Sequence, residues 1–194
     1  MLKPLPQVDT ALVVRAQGRD RAAHAELYTA FAPTVYTLAR RMLVSKVLAE
    51  DVLQETFIDV LRKIDGYRGE AEVGFWIRRI AVNKCLMHLR SSWVSRRLPD
   101  GDERVALETT RPVAIDEQIA LERALDELAD VARAVVWLHD VEGYTHKEIG
   151  ALMGASASFS KSQLARAHQR LRMLLLGCNE TISEELCVQA LKTC

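Results

Sequence analysis

"THKEIGALMGASASFSKSQLARAHQRLR", Thr145 to Arg172, carries two helical periods separated by a short turn. Thr145 and Glu148 have the spacing of a capping box, in which a hydroxyl and a carboxylate satisfy backbone N–H groups left open at a helix start. The pattern predicts a first helix over "HKEIGALM", stopped at Gly154, and a second from about Ser158 to Leu175. Two helices joined in this way form a helix-turn-helix. On the second, Leu164, Ala167, Leu171 and Leu174 share an inward side, while Phe159, Ser162, Arg166 and Arg170 point outward. A basic helix of this kind suits the major groove of duplex DNA. Basic helical hairpins also occur in proteins that bind no nucleic acid.

Helical periodicity extends over most of the remaining chain. Alternating β-branched runs are absent and proline is scarce outside the start and the middle, so the fold class expected is all-α. The segment Ser91 to Asp116 carries Pro99, Gly101, Pro112 and dense charge without a sustained period, and is assigned to a flexible linker between two small helical domains. The expected division is residues 1–90, a linker over 91–116, a second domain over 117–177 and a short extension over 178–194.

Formal net charge is zero, which argues against a simple nucleic-acid coat, yet the charges lie in blocks. Ala49 to Leu61 holds four acids and no base, Arg62 to Arg97 nine bases against three acids, Pro99 to Asp130 ten acids against three bases, and Ser158 to Leu176 four bases and no acid. Blocks of opposite sign suit several docking surfaces on one chain. The longest apolar runs fall far short of the roughly 20 residues that span a bilayer, and "MLKPLPQVDT" lacks the apolar core of a signal peptide. No membrane insertion and a cytoplasmic location are therefore expected. The four cysteines lack close pairing, and the five histidines, His24, His88, His139, His146 and His168, are scattered along the chain, so neither a metal site, a cofactor nor a catalytic centre is expected.

Two further helices have informative wheels. In "AEDVLQETFIDVLRKI" the side formed by Leu53, Phe57, Val60, Leu61 and Ile64 is expected in the core, and Asp51, Glu55, Ile58 and Arg62 lie opposite. A charged face is what any solvated helix shows, but an isoleucine set among carboxylates favours a protein-binding surface. In "GFWIRRIAVNKC" and its flanks, Val73, Ile77, Ile80 and Ala81 are expected inward, while Trp76, Arg79, Asn83 and Arg90 share an outer stripe. Rings that stack on bases, cations for phosphates and an amide able to read a base edge together suit single-stranded nucleic acid.

Taken together, "AEDVLQETFIDVLRKIDGYRGEAEVGFWIRRIAVNKCLMHLR" and "DVEGYTHKEIGALMGASASFSKSQLARAHQRLR" resemble the bacterial sigma-70 family of RNA polymerase sigma factors, extracytoplasmic function group, over about Val13 to Leu175. The resemblance implies a region 2 bundle and a region 4 helix-turn-helix, and an alternative sigma factor rather than an enzyme. By that likeness Asp51, Gln54 and Glu55, with Ile58 on the same stripe, meet the clamp helices of core RNA polymerase. Tyr67, Trp76 and Asn83 recognise and hold open the −10 element, with Arg78, Arg79, Lys84 and Arg90 as contacts to its backbone. Lys161, Ser162 and Arg166 match the positions that meet the −35 element, and Ser158, Phe159 and Arg170 complete that candidate surface. The partners implied are core RNA polymerase, double-stranded promoter DNA and the melted non-template strand, with an anti-sigma factor as a further partner open to the family.

The chain departs from the family pattern at Val73 and Phe75, where an aromatic residue and a threonine are usual, and at Ser158-Phe159-Ser160, which stands for Gly-Thr-Val. Ser160 thereby falls at an inward position usually filled by valine. A helix-turn-helix regulator without sigma activity accounts for the second block alone. A cysteine-based metal or redox sensor would draw on Cys178, Cys187 and Cys194, although a short packing helix over Ile182 to Lys192 is the reading that the spacing favours.

Overall fold

The computed structural model describes residues 5–96 and 117–176, with side chains described over 5–90 and 120–175. The tail cysteines, the tail helix and most of the linker lie outside these residues. The chain divides into two compact units, one within Lys3–His88 and one from Leu89 onward. Among the described residues every regular element is helical.

The first unit begins with α1 (Thr10–Gln17), α2 (Arg21–Leu43) and α3 (Lys46–Lys63). Each starts where its sequence provides an N-cap: Asp9, Asp20 and Ser45 accept from the backbone N–H of Ala11, Ala22 and Leu48 respectively. A 3-10 turn, Ile64–Gly66, then leads through a loop to α4 (Val73–Arg96). α2 packs along α3, with Leu27, Phe31, Leu38 and Met42 of α2 and Val52, Phe57 and Val60 of α3 buried. Fully burying a side chain of this size contributes roughly 1.5 to 3 kcal/mol. α4 adds a buried face of Val73, Ile77, Ala81, Val82, Cys85 and Leu86. It approaches α2 closely at Gly74, where an added Cβ would lie 3.0 Å from the Phe31 ring.

Three details differ from the sequence pattern. Ser91–Arg96, assigned to the linker, are helical, because no helix breaker stands between α4 and Pro99. Leu61 is exposed and Leu53 half-buried, because the seam of α3 runs over small residues, Ala49 and Thr56, as well as Val52, Phe57 and Val60. Ile80 is half-buried for a similar reason: Val82 and Cys85 take the centre of the buried arc of α4.

The second unit contains α5 (Glu117–Asp126), α6 (Asp130–Val136), a π-helical segment (Trp137–Val141), α7 (His146–Met153) and α8 (Ala157–Leu176). α7 has the expected capping box, with Thr145 and Glu148 each serving the other's backbone, and ends at Gly154 in the left-handed region, φ 65°. The turn into α8 is tight. A Cβ on Gly150 would lie 2.9 Å from the Ala155 carbonyl oxygen and 3.0 Å from the Ala157 nitrogen, so only glycine fits without backbone movement. α8 starts one residue before Ser158, with the Ser156 hydroxyl accepting from the Phe159 N–H at 3.1 Å.

Candidate functional site

α3 presents one stripe that its own unit leaves uncovered. Val47, Asp51, Gln54, Ile58 and Leu61 follow one another at helical spacing and are all exposed, with Val47 at 67% and Ile58 at 49%. Sequence reasoning found the middle of this stripe and missed its ends, Val47 and Leu61. The signal was available in the i, i+4, i+7, i+11, i+14 spacing.

Glu55 belongs to a different neighbourhood. Its carboxylate lies 3.6 Å from Lys84 Nζ and 3.4 Å from His88 Nε2, both on α4. Lys84 is also 3.3 Å from Asp59, which accepts in turn from Lys63 at 3.0 Å. The hydrogen bond from Lys63 and then that from Lys84 outweigh desolvation and hold the Asp59 carboxyl below its ordinary value. The side chain of Lys84 is only 18% exposed. Two residues assigned to separate surfaces, Glu55 and Lys84, are thus partners across α3 and α4.

The promoter-facing candidates of α4 and the loop before it divide into a tucked pair and an open stripe. Tyr67 and Trp76 stand with ring centroids 5.3 Å apart, both half-buried. The Tyr67 hydroxyl donates to the Ala71 carbonyl, and the Tyr67 carbonyl accepts from Gln17 at 2.8 Å. Burial, with the Glu72 carboxylate beside it, raises the Tyr67 phenol above 10.0, so it is a neutral donor near neutral pH. Arg78 is half-buried, whereas Arg79, Asn83 and Arg90 are exposed. Phe75, absent from the sequence-derived set, is 56% exposed and lies one turn before Arg79. The outer stripe is therefore Phe75, Arg79, Asn83 and Arg90, with Trp76 turned toward Tyr67. The departure from the family pattern at Phe75 marked this position.

On α8, Ser158, Lys161, Ser162, Arg166 and Arg170 are exposed, and the Ser162 hydroxyl donates to the Ser158 carbonyl at 3.0 Å. Phe159, placed outward by the wheel, is half-buried because it lies in the first turn, close to the α7–α8 connection. Leu164, Ala167 and Leu171 are buried, and Leu175 takes the place expected of Leu174, which is half-buried.

Scattered in sequence, three histidines meet in the second unit. Asp140 is buried, at 9% exposure. Since a carboxylate only accepts, His139 Nδ1–H donates to it at 2.8 Å and His168 Nε2–H at 2.7 Å. Burial pushes the Asp140 carboxyl up, but the bonds from His168 and His139 outweigh it and hold the carboxyl below 3.8. The His139 ring stacks on that of His146, with centroids 4.4 Å apart, and His146 Nδ1 lies 3.1 Å from the Ser160 hydroxyl. Among the described residues no set of three or more His, Cys, Asp or Glu side chains is arranged to hold a metal ion. Cys85 is fully buried in the first unit. No described helix is long and apolar enough to cross a membrane.

Comparison with known proteins places both units. Residues 27–94 match the sequence model of Sigma-70 region 2, and residues 118–171 that of Sigma-70, region 4. The chain is 37% identical over 153 residues to the ECF RNA polymerase sigma factor SigE of Mycolicibacterium smegmatis, covering 76% of this chain but 59% of that relative. It is 31% identical over 172 residues to the ECF RNA polymerase sigma factor SigM of Mycobacterium tuberculosis, covering 86% of this chain and 84% of the relative. Among solved structures, the sigma factor RpoE of Bartonella quintana, crystallised with the anti-sigma factor NepR, shares the fold with TM-score 0.50 and 23% identity, over 78% of this chain and 96% of that one. With both regions matched in order and most of SigM aligned, the chain belongs to the sigma-70 family of RNA polymerase sigma factors, in its extracytoplasmic function group.

Proposed function

We propose that the chain is an alternative sigma factor acting with core RNA polymerase in the cytoplasm, and that its surfaces divide the work of promoter recognition. The observation that carries this reading is the uncovered stripe Val47, Asp51, Gln54, Ile58 and Leu61, which a helix-turn-helix regulator without sigma activity leaves without a role. Apolar side chains interspersed with an acid and an amide fit a basic, grooved protein surface, and core polymerase is the partner of that kind that the family uses. Glu55 assists from the edge of this stripe.

On α4, Arg79 and Arg90 supply cations for the phosphates of the −10 element, while Asn83 and Phe75 offer an amide and an open ring to unpaired bases. Tyr67 and Trp76 form the wall beside them. On α8, Ser158, Lys161, Ser162, Arg166 and Arg170 face the −35 element. An anti-sigma factor, as found with the Bartonella protein, would act by covering one of these surfaces.

Run-off transcription with purified core polymerase and genomic DNA tests the proposal. Specific transcripts that require this chain are expected. DNA binding without polymerase association would favour the regulator instead.

A further inference from the structure

Ser160 raises a problem that the family pattern avoids. Its side chain is fully buried on the inward face of α8, where valine is usual, and a buried hydroxyl needs a partner. The partner is His146, the first residue of α7, at 3.1 Å. The same histidine stacks on His139, which is tied through Asp140 to His168 two turns further along α8. The chain Ser160, His146, His139, Asp140, His168 therefore leaves α8, passes through α7 and the π-helical segment, and returns to α8. It clamps the recognition helix at two points.

Its charges are unevenly placed. From the π-helical segment, Asp140 and His139 face this cluster, and from α8 come Lys161, His168 and Arg172, which all line a shared open groove with His146. Glu148 of α7 is turned back to the Thr145 cap, Glu142 accepts from the Trp137 indole, and Arg133 of α6 is held by Leu128 and Asp130. Asp140, the acid inside the cluster, already accepts from two imidazoles. The bond to Ser160 survives either protonation state, since a hydroxyl can donate or accept. A proton on His146 instead adds positive charge against the His139 ring and next to Lys161.

We propose that His146 is a titratable positioning residue for the recognition helix, holding the first turns of α8 in their −35-binding placement while its imidazole is neutral and loosening them when it is protonated. Desolvation, then the neighbouring His139 and Lys161, lower the His146 imidazole below 6.5. The sign follows from linkage. A group whose folded value is depressed contributes stability that is full above its unfolded value, here 6.5, and lost as pH falls through the lower folded value. Promoter recognition by this chain thus weakens on mild acidification, the reverse of the gain expected when protonated histidines simply add positive charge near DNA.

The inference rests on α8 being the −35 helix, and its test keeps the two apart. Holoenzyme made with the full chain is bound to a promoter with an intact or a scrambled −35 element, at about pH 7.5 and over a series of lower pH values through which His146 takes up its proton. For the wild type the preference for the intact element should fall about threefold or more on acidification, while His146→Gln, whose amide can still bond Ser160 but does not titrate, should keep a constant preference. In Lys161→Gln the cation beside the protonated imidazole is gone, and the acid-induced fall should shrink. In parallel, imidazole resonances of the full-length protein are titrated by NMR, and His146 should titrate below 6.5. An equal fall in wild type and His146→Gln, or a His146 that titrates at or above 6.5, overturns the proposal. No effect of scrambling the −35 element at the higher pH overturns the assignment of α8, and the NMR titration then decides the protonation claim alone.

Discussion

The Lys84 ammonium sits 3.3 Å from the Asp59 carboxylate, joining α4, the helix proposed to meet the promoter, to α3, the helix proposed to meet polymerase. Both side chains are less than one-fifth exposed, so this pair is screened less than a surface pair. Lys84→Met should destabilise the first unit by about 1 kcal/mol, with Asp59 still served by Lys63. It should leave the salt dependence of promoter binding unchanged, whereas Arg79→Ala should reduce the log-log slope by about one. A reduced slope in Lys84→Met would show that the lysine leaves Asp59 for a phosphate.

Polymerase docking is best probed where the fold has nothing at stake. Asp51 and Ile58 are exposed, unlike Glu55, whose replacement also disturbs Lys84 and His88. Asp51→Lys with Ile58→Glu should weaken association with core polymerase by about 2 kcal/mol or more, and shift unfolding by less than about 0.5 kcal/mol. Titration of labelled core enzyme measures the first and thermal unfolding the second. Unchanged affinity would remove α3 from the interface.

Phe75 and Asn83 are open to a base, while the Tyr67 and Trp76 rings are engaged with each other. Phe75→Ala and Asn83→Ala should each slow open-complex formation on duplex promoter, with a stacking loss of about 1 to 3 kcal/mol at Phe75. On a template mismatched through the −10 element the effect of Asn83→Ala should be much smaller, since unpairing has been supplied beforehand. Tyr67→Ala should in addition lower stability, because it removes a packed ring. Equal defects of Asn83→Ala on both templates would assign it a role outside strand separation.

A methyl group at position 150 has no room. Gly150→Ala should cost about 1 to 3 kcal/mol in the stability of the second unit despite the higher helix propensity of alanine, because the clash is with backbone on the far side of the turn. Chemical denaturation followed at the Trp137 fluorescence would report it. A stabilised variant would mean that the turn can open without loss.

Asp140 makes a separate contribution at lower pH. Its carboxyl is depressed by two imidazole donors, so its stabilisation is complete above 3.8 and disappears as pH falls through the lower folded value. Asp140→Asn should cost about 2 to 3 kcal/mol near neutral pH, since an amide offers one carbonyl where the carboxylate serves two donors. As pH falls from 3.8 through the lower folded value, the gap between variant and wild type should narrow. A gap that stays constant with pH would show that the loss comes from packing.

Much of this architecture was legible from periodicity and caps. The capping box at Thr145 and Glu148, the stop at Gly154 and the inward line Leu164, Ala167 and Leu171 stand in the structure as the spacing predicts. Local signals of this kind need only neighbours three or four residues away. What escaped depends on distance in sequence. The cluster of His139, Asp140, His146, Ser160 and His168 spans 140 to 168 in its longest bond, and no pattern of spacing announces a partner across two helices. Lys84 gave the appearance of a free cation for the same reason, since its two acids lie on another helix. Phe75 and Trp76 are adjacent, and only the loop that carries Tyr67 decides which ring is covered and which is open.

The tight α7–α8 turn has a consequence for redesign. Gly150 and the buried line of α8 fix how the helix is presented, whereas Ser158, Lys161, Ser162, Arg166 and Arg170 have their side chains outside the core. The residues that set the frame and those that face outward are different residues. If the five outward positions face the −35 element as proposed, a library randomised at them, with Gly150, His146 and Ser160 held constant, can be screened for new promoter sequences without first being filtered for folding, and the chain offers itself as a scaffold for orthogonal transcription.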